Sequence, residues 1–213
     1  GYSRAVPGEA PAQFHGVEQD VQSVGDFIRL YTTRNKRWAS PKFLAGESYG
    51  TTRAAGLSGY LQERHGMYLN GIVLISSILN FETAAFDVGN DLPYILFLPT
   101  YTAIAWYHKK LPSDLQSDLQ KAVEESRHFA RGEYLDALMA GDTLSEARRA
   151  EIAQKLSRLT GLSPAFVDEC NLRVQIFRFT KELLRRERRT VGRIDGRFTG
   201  VDRDAAGDRP DYD

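Results

Sequence analysis

Apolar residues recur at Val17, Val21, Val24, Phe27, Ile28 and Tyr31, with polar residues between them. These steps of three and four predict a helix over residues 17–33 with one face to bury. Pro41-Lys42-Phe43-Leu44-Ala45 follows, opened by proline and closed by Gly46. It is too short for two helical turns and predicts a buried strand. Residues 51–64 form a second helix with Ala54, Ala55, Leu57, Ser58 and Leu61 inward, despite Gly56 and Gly59. Gly71-Ile72-Val73-Leu74-Ile75 is a second buried, β-branched strand. Helix, strand, helix, strand is the alternation of a parallel α/β sheet.

From about Phe81 the pattern changes and strands disappear for more than a hundred residues. Helices are predicted over residues 100–110, after Pro99, and over 114–130. Another opens at the capping-box pair Thr143 and Glu146 and ends near Gly161. Ser163-Pro164 starts one or two more, carried by Phe166, Val167, Leu172, Ile176, Phe179 and Leu183 to about Arg189. The fold class is therefore α/β. A sheet fragment over residues 1–80 precedes a helical module over 81–195, and a polar stretch over 196–213 reads as a linker returning toward a missing core.

Composition narrows this picture only in places. The 213 residues make one large domain or two small ones, and 28 Lys and Arg cancel 28 Asp and Glu, so net charge selects no partner. Leu92 to Tyr107 is apolar but shorter than the roughly 20 residues of a membrane span, and it carries Pro93 and Pro99. Cys170 stands alone, which rules out an internal disulfide and a cysteine-rich zinc site. Asp87, Asp91, Asp202 and Asp204 lack metal-ligand spacing, and no metal or cofactor is implied. Arg185-Arg186-Glu187-Arg188-Arg189 is interrupted by a glutamate, followed by an acidic stretch and without interleaved aromatics. It reads as a solvated helix end, with no nucleic-acid partner. Tyr101, Trp106 and Tyr107 read as core residues, with a place at a substrate entrance as the alternative. The opening Gly1-Tyr2-Ser3-Arg4 and the unclosed acidic end suggest an internal piece of a longer protein.

The sharpest local signal is Gly46-Glu47-Ser48-Tyr49-Gly50, a G-x-S-x-G pentapeptide between a predicted strand and a predicted helix. That is the setting of a nucleophile elbow. Gly46 and Gly50 would let strand and helix approach closely, and Ser48 would be held in a strained backbone conformation at the carboxyl end of the sheet. The N–H of Tyr49 would supply half of an oxyanion hole. The bland alternative is a turn that only joins strand to helix.

A nucleophilic serine needs a base. His65 lies 17 residues beyond Ser48 along mostly one helix, roughly 25 Å away at about 1.5 Å per residue. His15 precedes the serine, and His108 and His128 fall in the helical module. With this elbow the order is Ser, acid, His, the last two coming after later strands, and no later strand is predicted. All four histidines therefore read as surface or packing residues, with the base and its acid placed beyond Asp213.

Gly46-Glu47-Ser48-Tyr49-Gly50, with Gly1-Tyr2-Ser3 and the Leu74-Ile75-Ser76-Ser77 strand end, resembles the serine carboxypeptidases, cathepsin A-like peptidases of the α/β-hydrolase fold. Residues 19–41 resemble that family's helix and strand before the nucleophile, and residues 81–195 fall where it inserts a helical cap. The resemblance implies a partial hydrolase sheet followed by that cap. It implies Ser48 as nucleophile, the Tyr49 N–H as oxyanion donor, and Glu47 as ligand of a peptide's terminal carboxylate. Two carboxyls in contact must share a proton, so exopeptidase activity at acid pH would follow. The substrate would be a peptide with a free C-terminal carboxylate, and a periplasmic or secreted parent is implied. The glycine-rich loop for the second oxyanion N–H, and the Asp and His, fall outside the chain, so the chain alone should be inactive. The alternatives are an esterase or acyltransferase of the same fold, and a non-catalytic helical interaction module.

Overall fold

A parallel strand pair needs a long crossover, and the stretch after Ser48 supplies it as a helix. The computed structural model describes residues 4–211, so the Gly1-Tyr2-Ser3 part of the resemblance lies outside the described residues, as do the last two positions of the polar stretch. The chain divides into two compact units, one ending at Leu79 and one beginning at Asn80. The whole is mixed α/β, mostly helical, with a small parallel sheet.

The first unit runs through α1 (Val17–Arg34), β1 (Phe43–Glu47), α2 (Tyr49–His65) and β2 (Gly71–Ile75). β1 and β2 pair in parallel, Phe43 opposite Gly71 and Glu47 opposite Ile75. Glu18 and Asp20 in the first turn of α1, and Arg34 in its last, oppose the helix dipole. α2 ends at Gly66, whose positive φ of 60° lets its N–H reach the Gln62 carbonyl. Val21, Leu57, Leu61 and Met67 form the core, with Val24, Ile28 and Leu44 packed around it.

Several inward assignments need correcting. Val17, Phe27 and Tyr31 lie on the predicted inner face of α1 yet are exposed. Ala55 is exposed and Ser58 half-buried. Both strands form, but neither is buried as predicted: Val73 is 53% exposed, Ile75 48% and Phe43 66%. The reason is layering. α2 packs on both strands and α1 packs on α2, so within this unit the two strands have one helical layer, whereas parallel sheets are covered on both faces.

The second unit holds α3 (Leu92–Tyr107), α4 (Ser113–Gln116), α5 (Leu119–Phe129), α6 (Leu135–Ala140), α7 (Glu146–Thr160), α8 (Pro164–Glu169) and α9 (Ile176–Glu182). Its core unites Leu98, Tyr101, Phe129, Tyr134, Ile152, Phe179 and other buried residues from these helices. Tyr101 stacks on Phe179 at 4.1 Å, and half-buried Trp106 donates its indole N–H to the Gln116 carbonyl at 2.9 Å. α3 begins eight residues before its predicted start. Pro93 stands at the N-terminus, where a missing N–H costs nothing. Pro99 lies inside the helix, between buried Leu98 and Tyr101, whose packing offsets the lost hydrogen bond. The cap of α7 is Ser145 rather than Thr143, its Oγ accepting the Arg148 N–H at 3.3 Å. Ser163 caps α8 as predicted, accepting the Phe166 N–H at 3.2 Å. Strands are absent for more than a hundred residues after Phe81, but the expectation of no later strand fails: β3 (Thr190–Val191) and β4 (Thr199–Gly200) form a short antiparallel ladder. No helix among the described residues is long and apolar enough to cross a membrane.

Candidate functional site

The residue between β1 and α2 is Ser48, with φ 52° and ψ −121°. For a residue with a side chain such a backbone costs about 1–3 kcal/mol. Nearly the same angles occur at Gly141 (φ 52°, ψ −127°), where the absence of Cβ removes the strain. The turn is tight: a Cβ on Gly46 would stand 1.9 Å from the Gly50 carbonyl oxygen. Gly50 has no such restriction, since a Cβ there meets nothing within 4 Å. The expectation that both flanking glycines are needed against collision thus holds for Gly46 and fails for Gly50 within this chain. The Ser48 N–H continues the ladder by donating to the Ile75 carbonyl at 3.0 Å, and the Ser48 carbonyl accepts the Thr51 N–H at 2.9 Å.

Serine is a favoured N-cap because its oxygen can accept an N–H of the first turn. Ser145 and Ser163 do this from extended backbone, with ψ 149° and 147°. Ser48 occupies the N-cap of α2 and makes no side-chain cap, because its ψ of −121° turns the side chain away from the helix. Its hydroxyl is left exposed, with no hydrogen bond among the described residues, and the N–H groups of Tyr49 and Gly50 have no side-chain acceptor from it. First-turn N–H groups at the positive end of a helix favour an anion.

Glu47 ends β1, exposed and without an ion pair among the described residues. Tyr49 is held by its side chain. Its phenol donates to Asp20 Oδ2 at 3.0 Å, while Arg53 grips the same carboxylate at 2.6 Å and 2.8 Å and lies 5.3 Å from the Tyr49 ring centroid. Arg53 and the Tyr49 phenol hold the Asp20 carboxyl below its usual range, the guanidinium contributing most. Burial, with the Asp20 contact behind it, pushes the Tyr49 phenol up. Asp20 and Arg53 were missed. The available signal was the four-residue step from Tyr49 to Arg53, which puts both on one face of α2.

The histidines fall into separate places. His65, at the far end of α2, faces Asp26 at 3.1 Å and packs edge-on against Tyr60. That His–Asp pair stands about 24 Å along the helix from Ser48. His15 follows a short turn (Pro11–Phe14) and lines a cavity of about 710 Å³ with Asp20, Phe27 and Arg53. In the second unit, His108 Nε2 lies 2.7 Å from the Gly196 carbonyl and His128 is exposed on α5. Among the described residues no group of three or more His, Cys, Asp or Glu could hold a metal ion.

No family model, curated protein or solved structure matches the chain.

Proposed function

We propose that Ser48 is the nucleophile of a serine-type hydrolase, built on part of an α/β-hydrolase sheet and followed by a helical cap. The substrate class is a peptide with a free C-terminus. One observation carries the reading: Ser48 sits at a helix N-cap in a strained conformation that withholds its hydroxyl from the cap, while Ser145 and Ser163 adopt the relaxed one and cap. Strain retained at one exposed serine between strand and helix fits a nucleophile better than a connector.

In this mechanism Ser48 Oγ attacks the carbonyl carbon of the last peptide bond and its proton passes to a general base. The carbonyl oxygen becomes an oxyanion that accepts the Tyr49 N–H. Collapse expels the C-terminal residue, whose nitrogen takes the proton, and leaves an acyl-enzyme that water hydrolyses. Glu47, beside the nucleophile, shares a proton with the substrate's terminal carboxylate, which favours acid pH. The base, its acid and the second oxyanion donor are assigned to residues outside this chain, as His65 is too distant and already paired.

That the Ser48 hydroxyl has no hydrogen-bond partner among the described residues also supports a second reading, a hydrolase-derived unit that binds without reacting. One pair of assays separates them. The complete product of the gene should release C-terminal residues from free peptides but not from C-terminally amidated ones, and Ser48→Ala should abolish release by about 10⁴-fold or more. No release under any condition would favour the binding reading, and equal release by Ser48→Ala would refute Ser48 as the nucleophile. Glu47→Gln should raise KM for free peptides and leave ester hydrolysis unchanged; equal loss on both substrates would point to an esterase or acyltransferase. The 213-residue chain alone should give no burst with an activated ester.

A further inference from the structure

In the second unit, α9, the turn after it and the segment beyond β4 line an open pocket of about 490 Å³. That lies in the range of small-molecule sites, about 300–1,000 Å³. Its wall carries Lys181, Arg185, Arg188, Arg189 and Arg203, against two carboxylates, Asp202 and Asp204. The ion pairs decide which of these charges are free. Lys181 is 3% exposed and pairs with the equally hidden Asp202 at 2.5 Å, also donating to the Asp204 carbonyl at 3.0 Å. This buried pair fastens the segment after β4 to α9 and neutralises itself. Arg185 is held by Glu182 and by the carbonyls of Ala205 and Gly207. Asp204 stands 3.8 Å from Arg203 and accepts the Ala206 N–H.

Two guanidiniums remain. Arg188 has no ion pair among the described residues, and Arg189 makes a single 3.3 Å contact, to the Thr199 hydroxyl. Their planar donor forks match phosphate oxygens, and the excess of cations suits more than one negative charge. Val201 and the Ala205 methyl offer an uncharged wall beside them. The cluster read from sequence as a solvated helix end thus borders a solvent-open pocket.

We propose that this cavity binds a small phosphorylated organic molecule, its phosphate held by Arg188 and Arg189 and its uncharged part against Val201. The proposal is independent of Ser48 and concerns the second unit alone.

Calorimetric titration of the 213-residue chain with phenyl phosphate tests it. Binding at about 1 mM or tighter, weakening as salt is raised, is the expected result. Inorganic phosphate should bind more weakly, having nothing to place on the apolar wall. Arg188→Gln with Arg189→Gln should weaken phenyl phosphate at least about tenfold, with unfolding unchanged because both side chains are exposed. Arg186→Gln, in the same cluster but outside the cavity wall, should change nothing. The proposal is overturned by no detectable binding, by equal weakening from Arg186→Gln, by the carboxylate phenylacetate binding as tightly, or by an oligoglutamate peptide binding more tightly than phenyl phosphate.

Discussion

The two units of this chain solve opposite problems. The helical unit hides Tyr101, Phe129, Tyr134 and Phe179 in one continuous core, whereas the sheet unit relies on Val21, Leu57, Leu61 and Met67. The sheet unit leaves most of β2 open, Ile72 to Ile75. Hydrophobic stabilisation scales with apolar area removed from water, so the unit carrying the strained serine is also the one with the thinner margin. Strain at Ser48 is therefore held by few contacts: the Gly46 close approach, the Ile75 ladder bond and the Asp20 clamp.

The largest test of this contrast uses the two tryptophans, one in each unit: Trp38 and Trp106. In single-tryptophan variants, Trp38 fluorescence should report unfolding at lower urea than Trp106. Phe179→Ala removes a fully buried ring and should cost about 3–5 kcal/mol, seen through Trp106, with that unit still folded in water. Leu61→Ala should cost about 2–5 kcal/mol and abolish the cooperative Trp38 transition. Coincident transitions for both probes in every variant would mean that the cores are one cooperative system.

A smaller effect separates the two glycines of the pentapeptide. Gly46→Ala forces a methyl against the Gly50 carbonyl and should cost about 3 kcal/mol or more. Gly50→Ala lies in open space within α2 and should stabilise by about 0.5–1 kcal/mol. Thermal unfolding followed at Trp38 measures both, and equal losses would refute the asymmetry of the turn.

How much was legible in advance follows from how local each cause is. The pentapeptide places strand, turn and helix within a few residues, so the elbow could be read from order alone. The capping serine at Ser163 was legible because Pro164 follows it. Pro99 misled, because the packing that carries it through α3 comes from residues distant in sequence, including Phe179 against Tyr101. Phe27 and Tyr31 show helical periodicity, but periodicity marks a face and says nothing of what covers it. The Asp20–Arg53 pair spans 33 residues, with no local pattern at Asp20 to announce it.

Within the helical unit, two tyrosines refine the same point about margins. The Tyr134 hydroxyl donates to the Leu172 carbonyl at 2.6 Å, whereas the buried Tyr101 hydroxyl has no partner among the described residues. Tyr134→Phe should cost about 1–2 kcal/mol, since it leaves a buried carbonyl unpaired. Tyr101→Phe should be neutral or stabilise by up to about 1 kcal/mol, as only an unsatisfied group is lost. Urea titration at Trp106 compares them, and a loss for Tyr101→Phe equal to that of Tyr134→Phe would reveal an unseen partner.

The smallest effect concerns the clamp beside the serine and has a defined pH direction. Asp20 titrates below the ordinary aspartate value of 3.8, mainly because Arg53 is bonded to it. A carboxyl depressed by folding contributes stability that is complete above the unfolded value and is lost as pH falls through the folded one. Arg53 and Asp20 are partly solvated, which limits the contribution to about 1 kcal/mol. Asp20→Asn should therefore destabilise the Trp38 transition by about that amount at neutral pH, and the gap from the parent chain should close as pH is lowered past the ordinary carboxylate range. A gap that persists at low pH would mean that the clamp acts by shape and neutral hydrogen bonding to Tyr49. In that case Arg53→Gln would leave the transition untouched, and Tyr49 would be held by its hydrogen bond to Asp20 without help from the carboxylate's charge.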